Sequence, residues 1–186
     1  MCYFVALGVL SLVLGSRGDD CSPPKPGDKT PSPYQCCKKE RKIPDVMKVN
    51  IPKCIDKAPL TGKSDPQEVR NAAICTAECV FEESNLLTPE GKVDLPTFKK
   101  IMAETYPEKK NSSANVDKCA STIGSRIDPT SECKSGALEL QECLRRDCFL
   151  HCPKDLWTTS KECEELRKKV EQCPGYPLVD DMDHHH

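Results

Sequence analysis

Residues 143–153 read Cys-Leu-Arg-Arg-Asp-Cys-Phe-Leu-His-Cys-Pro, a stretch crowded with thiols and one imidazole. Such a set can ligate zinc, run thiol–disulfide exchange or supply structural disulfides. On a helix each residue advances about 100°, so Cys148 and Cys152 stand roughly 140° and 180° around the axis from Cys143. A metal needs ligands that converge, and these diverge, as cysteines bridging two different neighbours would. Cys75 and Cys79, four apart, do share a helix face, but His151 is the lone interior histidine, so no metal site is expected. There is no C-x-x-C pair for redox exchange and no Ser-His-Asp or Cys-His constellation. The residues therefore point away from an enzyme and call for no cofactor.

Composition supports the disulfide reading. The 186 residues include 14 Cys but only 4 Phe, 4 Tyr and 1 Trp, so cross-links must stand in for part of a core. The 27 Lys and Arg and 29 Asp and Glu are spread along the chain, without the basic stripe that nucleic acid requires. Residues 3–15, YFVALGVLSLVLG, form an apolar run too short to span a membrane and end in small residues. Residues 1–18 are thus expected to be a signal peptide cleaved near Gly15 to Gly18, and the mature chain to be secreted and extracellular. No second long apolar stretch follows, so no membrane span is expected. Removing the leader takes Cys2 with it and leaves an odd number of cysteines in an oxidising compartment. The leftover is a free thiol, an intermolecular bridge that would make a homodimer, or the sign of a different cleavage point. Asn111-Ser112-Ser113 is a glycosylation sequon. His184 to His186 are native or the remains of a purification tag, and no function is assigned to them.

The elements that must position the cysteines divide the chain. Residues 19–53 form an arm rich in proline (Pro23, Pro24, Pro26, Pro31, Pro33, Pro44, Pro52) with Cys21, Cys36 and Cys37, mostly loop with a helical turn around Asp45 to Val49. Neighbouring Cys36 and Cys37 point in different directions and should pin the arm to two separate parts of the body. From Asp65-Pro66-Gln67-Glu68, an N-cap with a capping-box Glu, a helix is expected to about Ser84, with Val69, Ala72, Ala73, Cys75, Cys79 and Val80 on its apolar stripe. Further helices are expected over about Leu95 to Thr105, Ala114 to Ser125, Ser131 to His151 and Thr159 to Gln172, the last opened by a capping box at Thr159-Ser160-Lys161-Glu162. Nothing alternates with period two, so the chain is all-α and held by disulfides.

Cys75-x3-Cys79, the 39 residues from there to Cys119, and Cys143-x8-Cys152 followed by Pro153 resemble the core signature of insect odorant-binding proteins, the PBP/GOBP family, with Cys54 as the first of six cysteines. Cys163 and Cys173 beyond that core are similar to the extra cysteines of the subgroup called Plus-C, and residues 78–94, ECVFEESNLLTPEGKVD, are similar to the family's segment after the third cysteine. The resemblance covers about residues 54–173. It implies interlocked pairs Cys54 to Cys79, Cys75 to Cys143 and Cys119 to Cys152, with further pairs among Cys21, Cys36, Cys37, Cys133, Cys148, Cys163 and Cys173. It also implies a disulfide-rich bundle of five to seven short helices around an apolar cavity. That bundle would be the core at 54–153, with a cross-linked C-terminal extension at 154–178 and a tail at 179–186.

In that reading the cavity carries small hydrophobic volatile ligands through aqueous secretion, in olfaction. Disulfides worth about 2–4 kcal/mol each offset the missing packing. A ligand burying about 300 Å² of apolar surface gains about 7.5 kcal/mol before the costs of association, which sets a roughly micromolar ceiling on affinity. The expected lining is Val80, Phe81, Leu86, Leu87, Phe98, Ile101, Met102, Ile123, Leu140, Leu144, Phe149 and Trp157, with Tyr106 or Trp157 supplying a polar tip. His151 is either a pH sensor or an ordinary surface residue. Two binding functions of other classes compete: a secreted protease inhibitor displaying the proline-rich arm, and an adhesion ligand using Arg17-Gly18-Asp19.

Overall fold

A computed structural model of the chain describes residues 21–22, 30–39, 42–57, 66–107, 112–176 and 178. The expected leader, Arg17-Gly18-Asp19, the Asp65 cap, Asn111 and the tail at 179–186 lie outside the described residues. Among those described, the chain forms eight helices and no strand. They are α1 (Pro33–Cys36), α2 (Asp45–Lys48), α3 (Ile51–Lys57), α4 (Pro66–Glu83), α5 (Leu95–Thr105), α6 (Ser112–Ile123), α7 (Ala137–Leu150) and α8 (Lys161–Gln172). The expectation of an all-α, disulfide-rich fold holds, and the arm supplies more helical turns than its proline content suggested.

Local chemistry sets the boundaries. Ser32 and Gln35 cap α1 reciprocally, the Ser32 side chain accepting from Gln35 N while the Gln35 side chain accepts from Ser32 N. Pro52 sits in the first turn of α3, where no intrahelical donor is required of it. Asn85, at φ 55°, ends α4 in a left-handed cap: Leu86 N donates to Phe81 O (2.8 Å) and Asn85 N to Glu82 O (2.9 Å). The hydrophobic contact that goes with such a cap joins Phe81 and Leu86, both fully buried. Asp94 then caps α5 by accepting from Thr97 N (3.2 Å). At α8 the cap is Ser160, whose Oγ accepts from Cys163 N (3.2 Å).

One expected boundary fails. Residues 131–136 are irregular backbone with bends rather than the first turns of α7. Gly136 has φ 82°, and a Cβ there would lie 2.3 Å from Ile123 Cγ2, so this position turns the chain tightly against the end of α6. Ser135 N donates to the Glu78 carboxylate (2.7 Å), tying the turn to α4.

α4, α5, α6 and α7 pack around one core of Phe81, Leu86, Phe98, Val116 and Leu140, with Met47 reaching in from the arm. On α4 the buried face is Ile74, Ala77, Val80 and Phe81, whereas Val69 is 42% exposed. The expected stripe was therefore rotated, because Phe81, the largest apolar side chain on the helix, sets the face. A second cluster gathers Phe149, Leu166, Val170 and Tyr176 with cysteines of the arm, α8 and its flanks.

Six disulfides join the described cysteines: Cys21–Cys173, Cys36–Cys163, Cys37–Cys152, Cys54–Cys79, Cys75–Cys133 and Cys119–Cys143. Cys148 is free and exposed. The implied pairs Cys75 to Cys143 and Cys119 to Cys152 are thus corrected. Taken in order, Cys54, Cys75, Cys79, Cys119, Cys133 and Cys143 pair first with third, second with fifth and fourth with sixth. That is the interlocked pattern the resemblance implied, moved one cysteine toward the N-terminus at its end. The physical reason is that Cys133 lies in the turn tied to α4, next to Cys75, and Cys143 lies on the α7 face that meets α6. Cys152 falls beyond the end of α7 and meets the arm instead. Cys36 and Cys37 do diverge, one to α8 and the other to the α7–α8 connection.

Candidate functional site

Three elements leave a gap where the two apolar clusters meet. On α5 and at its C-cap, Phe98, Met102 and Tyr106 follow at four-residue spacing and face the same way. On α7, Gln141, Leu144, Arg145, Cys148 and Phe149 form a stripe spaced three and four apart. The start of α6 adds Asn115 and Val116, and the arm crosses over them with Pro33, Tyr34, Cys37, Ile43, Pro44 and Met47. Together they enclose a cavity of about 220 Å³, partly open to solvent.

The arm is held in place by contacts at both ends. At one end Cys37 is bonded to Cys152 and paired with Trp157 in an isolated antiparallel bridge, with Lys38 N donating to Leu156 O (2.9 Å) and Thr158 N to Cys36 O (2.8 Å). In the middle, Lys42 N donates to the Tyr106 hydroxyl (3.1 Å), which in turn donates to Lys42 O. Farther on, Asn50 Nδ2 donates to Glu83 O (3.1 Å) and Ser84 Oγ donates to Val46 O (3.0 Å), fixing α2 to the end of α4.

Of the residues expected to line a cavity, Phe98, Met102, Tyr106, Leu144 and Phe149 do so. Val80, Phe81, Leu86 and Leu140 lie behind them in close-packed core. Phe81 stacks on Phe98 with ring centroids 5.4 Å apart, supporting the wall from outside. Leu87 pairs with Val93 across the turn before α5, Ile101 faces a shallow surface groove with Glu104, and Ile123 faces the turn at Ser135. Trp157 is also outside the wall: it meets Phe149 edge-on (5.5 Å), Arg167 lies over its ring, and its Nε1 donates to Glu164 (2.7 Å). Neither expected polar tip points as a free group into the cavity, since the Trp157 indole is committed to Glu164 and the Tyr106 hydroxyl clamps Lys42. His151 is exposed, caps α7 and sits beside Asp147, away from the cavity. Reasoning from helical spacing missed the arm's contribution, because a proline-rich segment carries no periodicity.

Among the described residues no group of His, Cys, Asp and Glu is arranged to hold a metal, and no helix is long and apolar enough to cross a membrane.

A match to the PBP/GOBP family spans residues 34–147. It begins in the arm at the cavity wall and ends on α7 after Cys143, so it contains the interlocked disulfides and leaves Cys152, Cys163 and Cys173 outside. General odorant-binding protein 67 of Anopheles gambiae is 26% identical over 111 residues, which are 55% of this chain and 54% of that protein. The chain thus spans about half the length of the curated relative it matches. Helical fold, interlocked cross-links and an apolar-walled cavity agree with a family match over more than half the chain: the chain belongs to the PBP/GOBP family.

Proposed function

We propose that the protein is a secreted, non-enzymatic carrier that takes small apolar, odorant-like molecules into the cavity between the arm, α5, α6 and α7. The observation that carries this reading is the cavity itself, about 220 Å³ with Phe98, Met102, Val116, Leu144 and Phe149 in its wall. Burial on those side chains drives binding at about 25 cal/mol per Å² of apolar area. The name of the mosquito relative and the family match support the same reading. The disulfides suit an oxidising extracellular compartment, and the apolar run at residues 3–15 suits secretion. The arm, which a protease inhibitor would need as an exposed bait segment, gives Pro33, Tyr34, Cys37, Ile43, Pro44 and Met47 to the cavity wall.

Titration of the oxidised protein with N-phenyl-1-naphthylamine, a neutral apolar fluorophore, tests this. Saturable micromolar binding, displaced by volatile alcohols and esters and lost on disulfide reduction, is the expected result. Absence of saturable binding would overturn the carrier reading.

A further inference from the structure

The wall of the cavity is electrostatically one-sided. Lys39, Lys42 and Arg145 stand in it, and among the described residues no Asp or Glu does. The chain as a whole has a net charge of −2, so the excess of cations is a local property. Arg145 also borders a neighbouring groove lined by Glu139, Glu142 and Leu178, where its Nη1 donates to Leu178 O (3.2 Å), so the cations left to the cavity are Lys39 and Lys42. Asn115 and Gln141 add side-chain amides to the same wall. The opposite chemistry lines the remainder, where Phe98, Met102 and Val116 offer only apolar surface. In a partly desolvated site a charge interacts more strongly than at an open surface, and charge-assisted hydrogen bonds from Lys and Arg to a carboxylate are stronger than neutral ones.

We propose that the cavity selects anionic amphiphiles, a medium-chain carboxylate above all. The alkyl chain lies on Phe98, Met102 and Val116, and the carboxylate accepts hydrogen bonds from Lys39 and Lys42. This rests on the carrier reading of the same cavity and adds the class of ligand. The cavity, about 220 Å³ and partly open to solvent, takes the alkyl chain while the head stays at the mouth.

The test is competition against N-phenyl-1-naphthylamine with octanoate, 1-octanol and octylamine, at neutral pH and low salt. Octanoate is expected to displace the probe at about tenfold lower concentration than 1-octanol, and octylamine to be the weakest of the three. High salt should erode the octanoate advantage while leaving 1-octanol unchanged. Lys39→Gln with Lys42→Gln should weaken octanoate several-fold and spare 1-octanol, whereas Lys39→Arg with Lys42→Arg should keep the preference. Saturable probe binding with 1-octanol equal to or better than octanoate would overturn the headgroup selection and leave the carrier reading standing. Absence of saturable probe binding would overturn both.

Discussion

Cys37 and Cys152 form the bond that turns the arm into a cavity wall. Cys37 lines the cavity, its Cα lies 6.0 Å from that of Cys152 just beyond α7, and 115 residues separate the two in sequence. A cross-link closing so long a loop restricts the unfolded chain strongly. Replacing both residues by serine is expected to lower stability by about 2–4 kcal/mol and to weaken binding of an apolar probe several-fold, with helical circular dichroism retained. Urea unfolding and probe titration measure the two effects, and unchanged probe affinity would show that the arm is not needed as a wall.

Cys148 offers an independent marker of the cavity, being free, exposed and in its wall. A maleimide should add once per molecule, read by mass, and saturating ligand should slow the addition. A bulky label at Cys148 should then exclude the probe, while Cys148→Ser binds it normally. Full probe binding by the labelled protein would place the ligand elsewhere.

Gly136 is required twice over, by φ 82° and by the 2.3 Å approach its missing Cβ would make to Ile123. Gly136→Ala is expected to cost about 1–3 kcal/mol in urea unfolding. Gly91 also has positive φ, but a Cβ there would meet nothing within 4 Å. Gly91→Ala should therefore cost less, and the difference between the two isolates the packing contribution. Equal losses would mean that the contact with Ile123 is relieved without cost.

Acid should loosen the joint between α3 and α4. Hydrogen bonds from Lys53 and then Lys57 hold the Glu83 carboxyl below the usual carboxylate range. A group with a depressed folded pKa contributes stability above its ordinary value, about 4.3 for Glu, and loses it as pH falls through the depressed value. Thermal melts over that window should show Glu83→Gln converging with the parent at low pH and falling below it at neutral pH. Parallel curves at every pH would remove Glu83 from the acid response.

The helices were legible in the sequence because α5 and α8 carry strong periodicity, and α5 falls where expected, at Leu95–Thr105, whereas the cap of α8 is Ser160 and not the expected box opened at Thr159. The α5 and α7 halves of the cavity followed from the same spacing, which singles out Phe98, Met102, Leu144 and Phe149. The arm half did not, since Ile43, Pro44 and Met47 are placed by disulfides and by the Tyr106 clamp, neither of which leaves a periodic trace. The pairing error has a similar origin. Cys133 stands about as far before Cys143 as Cys143 stands before Cys152, and only the turn at Gly136, invisible as a pattern, decides which pair belongs to the core.

The outer disulfides are nested: Cys21–Cys173 encloses Cys36–Cys163, which encloses Cys37–Cys152, which encloses the interlocked core. A peptide bond cut anywhere between Cys21 and Cys173 therefore leaves the two pieces covalently joined. A nick by an extracellular protease would open a loop without shedding a fragment, and the wall around the cavity could outlive the continuity of its backbone.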